Sequence, residues 1–263
     1  RAEDGGLEFV YSPDDAAVGD RYTVRSVMLD GNQIVTDGDL RRLMDLAELR
    51  YIRLNDTNIS DAGLASLAGC RSLERLHLSD TGITSEGLTQ LAGLPLVWLV
   101  VDGTGLTQAG LDGVTQISTL EVLGISRNDL SEFDLSRLSE LPVLSDLGIY
   151  ETRIGDADLP SLLAIPKLTR VHLGKTRITN AGLTTLAEMT RLESLPLNGN
   201  DISDDGIAAL HGLTNLEELF LEDTNVTADG VESLHQALPN CHITWDGGTV
   251  GPDSQPREEA DDQ

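Results

Sequence analysis

From Leu123 onward the chain repeats itself every 24 residues. Leu123, Leu147, Val171, Leu195, Leu219 and Ile243 mark that interval, and each opens an apolar-x-apolar pair such as Leu147-Gly148-Ile149 or Leu219-Phe220-Leu221. Earlier copies, such as Leu76-His77-Leu78, keep nearly the same spacing. A unit this short cannot bury its own apolar face. It has to stack on its neighbours, so a fixed period in this range marks a solenoid.

The interior of one repeat follows from the same logic. Leu76 and Leu78 point inward while Arg75, His77 and Ser79 point outward, because strand side chains alternate. At the bend stands Thr81, in register with Asn32, Thr57, Thr104, Asn128, Thr152, Thr176, Asn200 and Thr224. A short side chain that donates and accepts can reach the next repeat's turn, which predicts a ladder. Ile83 then returns to the core, Thr84 or Ser85 caps a short helix, and Leu88, Leu91 and Leu94 line its inner face. The reading is a curved α/β solenoid, a horseshoe of about nine repeats plus a closing strand at Cys241 to Trp245. Its parallel sheet lies on the concave side and its short helices on the convex side.

Residues 1–22 fall outside the repeat. With strand-like alternation from Leu7 to Tyr11, they are expected to cap the open end over a solenoid spanning 23–246. Residues 247–263 are Gly, Pro, Asp, Glu and Gln for the most part, and are expected to form a disordered acidic tail. Arg1 in place of Met reads as a processed product or a fragment. The formal net charge of −26, from 44 acidic and 18 basic residues, argues against nucleic acid or anionic lipid as partners. No run of 18 apolar residues occurs, so no membrane insertion is expected within this chain. Cys70 and Cys241 stand seven repeats apart, too far for a disulfide.

The motif Ile52-x-Leu54-x-x-Thr57-x-Ile59-x-x-x-Gly63-Leu64-x-x-Leu67 resembles the leucine-rich repeat family. Its Gly-Leu helix starts are similar to ribonuclease-inhibitor-like and bacterial GALA-type arrays, and its Thr-for-Asn variant looks like planctomycete proteins. The likeness covers about 24–245. It implies an exported or cell-envelope location, with a cytoplasmic one as the alternative. No F-box-like segment is present, so a ubiquitin-ligase role is not carried over.

Because equivalent positions stack, the outward strand positions form columns. Trp98, Val100 and Val122 make an apolar cluster among them. Gly124 and Gly148 are expected to leave a dent beside it, rimmed by Arg75, His77, Tyr150, Arg170 and His172. Aromatic side chains edged by Arg are the usual make-up of a binding hot spot. Repeats five and six carry Asp134 and Asp158 where others have a helix-start Gly such as Gly63, Gly87 or Gly182; such departures from rule can mark function. Glu217, Glu218, Glu222, Asp223 and Asp246 form an acidic pole that could meet a basic partner, although oxygens on flat strands do not converge as a Ca²⁺ cage requires. Arg127, Glu151 and Lys175 read as one salt-bridge column, and Asp129, Arg153, Arg177 and Asp201 as another. Pro196 sits where a ladder N–H is normally needed, predicting a gap or a bulge.

His77 and His172 share a column roughly 19 Å apart at strand spacing, so they cannot share a metal. No Cys/His cluster, Walker loop, nucleophile elbow or dinucleotide fingerprint occurs. Asn55, Asn58 and Asn225 open glycosylation sequons that follow from the repeat consensus. The expected function is therefore a non-catalytic scaffold that binds protein or peptide on its concave face, with no metal and no cofactor. The alternative is a structural or assembly subunit of an envelope complex, held through its ends or tails.

Overall fold

The computed structural model describes residues 23–252. The cap expected at 1–22 and the last part of the tail lie outside them. The chain forms two compact units, one running to Arg153 with Ala164–Leu168, the other comprising Ile154–Leu163 and everything from Thr169.

In the first unit the strands β1 (Ser26–Met28), β2 (Tyr51–Arg53), β3 (Arg75–His77), β4 (Trp98–Val100), β5 (Val122–Gly124) and β6 (Asp146–Gly148) pair in chain order, all parallel and in register. Return segments carry α1 (Asp37–Leu40), α2 (Asp61–Leu67), α3 (Ser85–Thr89) and α4 (Gln108–Val114), with 3₁₀ turns at Arg41–Asp45 and Leu135–Glu140. The core is a column of aliphatic side chains: Leu54, Leu76, Leu78, Leu99, Leu123 and Leu147 are fully buried.

The second unit contains α5 (Leu159–Leu163), β7 (Arg170–His172), α6 (Asn180–Leu186), β8 (Ser194–Pro196), α7 (Asp204–Ile207), β9 (Glu218–Phe220), α8 (Ala228–Ala237), β10 (His242–Trp245) and β11 (Gly248–Val250). Its strands are parallel up to β10. β11 corrects the expectation of a disordered tail from 247. It turns back through Asp246–Gly247 and pairs antiparallel with β10, Ile243 to Val250 and Trp245 to Gly248. A two-residue Asp-Gly link is a hairpin signal, and Gly248 takes φ 126°, which only glycine tolerates well. β10 is therefore not the closing strand.

Pro196 produces a gap. β8 meets β9 along three residue pairs but meets β7 only at Arg170–Ser194. Its missing N–H faces β7, where equivalent strand residues donate one repeat back, while its carbonyl still accepts from Leu173 at 2.9 Å.

Two corrections concern the polar ladders. The bend threonines bond chiefly within their own repeat, and Thr176 also meets the Asn200 amide oxygen of the next repeat at 2.9 Å. Thr57, Thr81, Thr152 and Thr224 each donate to a carbonyl three residues earlier in their own repeat, at 2.6–2.8 Å. Asn128 and Asn200 make the longer bridges between repeats. Asn128 donates to Val101 and Ile125 and accepts from the Leu106 N–H, and Asn200 does the same with Leu173, Leu197 and Ile178. A hydroxyl has one proton and a shorter reach, whereas an amide offers two donors and an acceptor at longer reach.

The second correction is on the helix side. The first helical residue of one repeat, or at Asp156 the equivalent turn residue, accepts from the next repeat's N-cap. Asp37 takes Ser60, Asp61 takes Thr84, Asp156 takes Thr179 and Asp204 takes Thr227, each through both backbone N–H and hydroxyl at 2.6–2.9 Å. These carboxylates occupy the space where the next repeat's helix-start residue would put its Cβ: 2.6 Å away at Gly63, 2.2 Å at Gly87, 2.3 Å at Gly182 and 2.1 Å at Gly230. Glycine is required there by a neighbour's carboxylate. Where the upstream residue is Gln108 instead, it reaches the Asp134 N–H at 2.8 Å, and Asp134 caps Ser136 within its own repeat. Asp158 likewise accepts from the Gly155 N–H at 2.8 Å. The departures at Asp134 and Asp158 are thus local substitutes for the ladder.

Candidate functional site

The strand face of the first unit carries a run of stacked rings. Tyr51 on β2, His77 on β3 and Trp98 on β4 step diagonally across adjacent strands. Ring centroids lie 5.4 Å apart for Tyr51–His77 and 5.9 Å for His77–Trp98, the latter pair nearly parallel at 22°. The register explains the diagonal. Tyr51 faces Arg75 and Arg75 faces Trp98, while His77 is two residues further along β3, within reach of large side chains on the same face. The Arg75 guanidinium lies 5.8 Å from the Trp98 ring centroid, inside cation–π range. Arg53, beside Tyr51, pairs with Asp30 at 2.7 Å.

Val100 and Val122 extend this surface, and both are half-buried, as are Tyr51, His77 and Trp98. Gly124 does not leave the expected dent, because a Cβ there would sit 2.9 Å from Val100 and 3.1 Å from the Asp102 carboxylate, which already fill the space. Gly148 has ordinary clearance, its nearest neighbour being the Ser126 hydroxyl at 3.4 Å. Tyr150 belongs to a column that proves to be a hydrogen-bond ladder. Asn55 accepts from the Ser79 N–H, Asp102 from the Ser126 N–H and the Ser126 hydroxyl from the Tyr150 N–H, at 2.7–3.1 Å. That column holds strands together more than it faces a partner, and Ser79 and Ser126 are buried. Arg170 and His172 stand on β7 in the second unit, where Arg170 approaches Glu193 at 3.8 Å. Sequence reasoning missed Tyr51; an aromatic in the same stacked column as Trp98 was the available signal.

The electrostatics of the face are set by burial. Burial first, then the Arg53 charge, hold the His77 imidazole below its usual range despite the opposing Asp30. Burial pushes the Asp102 carboxyl up, against the Ser126 N–H and Arg127. Arg127 does not pair along its expected column with Glu151. It makes a bidentate bridge to Asp80, two repeats away, at 2.8 and 2.7 Å. The pair passes over Gly103, where a Cβ would lie 2.5 Å from Asp80. The expected Asp129–Arg153 pair is present at 3.1 Å but well exposed, so it contributes little.

In the second unit the acidic pole is partly tied down: Asp246 accepts from the Asp223 N–H at 2.9 Å. Cys70 and Cys241 are free and buried, and burial raises the Cys241 thiol to about 12. Among the described residues no group of three or more His, Cys, Asp or Glu could hold a metal ion, and no helix is long and apolar enough to cross a membrane.

Comparison with known proteins agrees with this architecture. A leucine rich repeat family model matches residues 166–226, and another matches 48–68 and 69–92. These matches cover parts of the chain and, with the stacked strand-and-helix repeats, mark a leucine-rich repeat fold. Among solved structures it is similar to an internalin (inlF) from Listeria monocytogenes, with 25% identity and a TM-score of 0.63 over 85% of this chain; it spans 61% of that chain's length. An internalin C2 (inlC2) from the same organism shares the fold, at 23% identity and a TM-score of 0.53 over 80% of this chain and 84% of its own. No curated protein matches.

Proposed function

We propose that the chain is a non-catalytic protein- or peptide-binding scaffold that works through the strand face around Trp98. The observation that carries this reading is the Tyr51–His77–Trp98 stack capped by Arg75. The helix-side carboxylates and the Ser79–Ser126–Tyr150 column have structural tasks between repeats, while these rings sit half-buried on the strand face. Aromatic and Arg side chains with apolar neighbours concentrate binding energy. Replacing Trp98 and Tyr51 with Ala and comparing proteins captured from lysate tests it: the variant should lose the partners that the wild type retains. Unchanged capture would reject this face.

A second reading, an assembly subunit held through its ends, draws on the first repeat. Met28, Ile34 and Met44 are exposed there at 44%, 65% and 47%. Retained capture by the strand-face variant together with loss on replacing these three with Ser would favour it. Export to the cell envelope and descent from ribonuclease-inhibitor-like arrays belong to the same proposal, supported by the Gly-Leu helix starts. Cell fractionation tests the first of these.

A further inference from the structure

We infer that the segment recognised by the Trp98 face is acidic: an extended peptide carrying a carboxylate next to an aromatic or large aliphatic side chain. The inference rests on the binding role proposed above and adds the partner's chemistry.

The molecule as a whole carries a net charge of −26, and several of its arginines are held in ion pairs. Arg50 pairs with Glu74, Arg53 with Asp30, Arg127 with Asp80, Arg137 with Asp112 and Glu140, and Arg153 with Asp129. Arg75 differs. Among the described residues no carboxylate pairs with it, its side chain is exposed, and its one specific contact is the face of Trp98. Two more donors in the same stack, the Trp98 indole Nε1 and Arg53 Nε, are buried with no acceptor. Unmatched donors are costly to keep. The strand face here thus presents an exposed cation beside apolar surface from Trp98, Val100 and Val122.

A guanidinium held flat against an indole keeps its edge free for a two-point bond to a carboxylate. A side chain two positions along an extended peptide would then reach the Trp98–Val122 surface, because alternate residues of a strand share a face. A basic segment would meet Arg75 as like charge and leave its guanidinium unpaired. Elsewhere the acidic surface repels an acidic partner, which confines such a segment to this place.

The test is selection of a phage-displayed random 12-residue peptide library on the intact protein, followed by titration calorimetry with the enriched peptides made synthetically. Enrichment of Asp or Glu within two positions of Phe, Tyr, Trp, Leu or Ile is expected. Arg75→Gln should weaken the best peptide at least tenfold, and changing the peptide's acid to its amide should weaken it by a similar factor. Arg75→Lys should recover part of the loss, and Trp98→Ala should remove binding. Circular dichroism checks that each variant stays folded. Peptides whose binding is lost with Trp98→Ala but unchanged with Arg75→Gln would overturn the acidic assignment while leaving the binding role intact. Enrichment of basic peptides, or of none, would overturn it as well.

Discussion

One residue per repeat turns the chain sharply after the strand, and it does so in left-handed backbone. Asp56, Asp80, Arg127, Glu151, Lys175 and Asp223 take φ of 51–56°, and Gly31, Gly103 and Gly199 hold the same place with φ of 64–70°. A side chain in this conformation costs roughly 1 kcal/mol. Glu151→Gly should therefore stabilise the protein by about 0.5 kcal/mol after the entropy of the freer unfolded chain is counted, and Glu151→Val should destabilise it; urea unfolding measures both. Gly103 is the exception in function, since the Asp80–Arg127 bridge occupies its Cβ space. At His77 the prediction concerns pH. Its folded-state pKa is depressed below 6.5, so the unfolded chain takes up the proton first as pH falls. Stability is complete above the unfolded value and is lost as pH drops towards the folded one. His77→Gln should flatten that slope in denaturation curves taken across the window.

The elements are short, and their stability comes from neighbours. Strands of three or four residues and helices of four to ten would not persist alone. The helix-side carboxylates test this. On helix propensity alone, Gly87→Ala should gain stability. With the Asp61 carboxylate 2.2 Å from the new Cβ, it should instead lose about 1–3 kcal/mol, and the loss should shrink in an Asp61→Gly background. A double-mutant cycle by urea denaturation gives the coupling; additive effects would contradict the clash. Pro196 is the element-scale counterpart. Pro196→Val restores a ladder donor towards β7, and its amide should be protected in hydrogen exchange, with a stability change below about 1 kcal/mol because the proline's unfolded-state advantage is given up. Much of this architecture was legible in the sequence: the period located every strand of the repeat array, and alternation identified core positions such as Leu76 and Leu78. The ladders were less legible. Which partner a Thr or an Asp chooses depends on reach and angle, which spacing does not contain. The site was half legible for the same reason. Trp98, His77 and Arg75 were visible as unusual outward residues, but the diagonal step that recruits Tyr51 and the filling of Gly124 by Val100 come from side-chain geometry.

At the scale of the whole molecule, like charge dominates. A net charge of −26 repels itself, and its few ion pairs are exposed. Raising salt from about 10 to about 200 mM should raise the melting temperature; a fall would mean that the ion pairs outweigh the repulsion. The sheet edge offers a second check. A chain ending at Trp245 lacks β11 and bares β10, and it should self-associate in sedimentation more than one ending at Pro252. The helix-side ladder carries a further consequence, for how such a molecule can be lengthened or shortened. The carboxylate sits in one repeat and the glycine that makes room for it in the next, so neither is complete alone. A gene duplication or a designed graft that cuts between them would join an Asp to a residue with a Cβ, or leave a glycine facing nothing. The heritable building block of this array is thus the joint between two repeats. Changes in length that preserve matched joints should be tolerated better than those that merely preserve the count of 24.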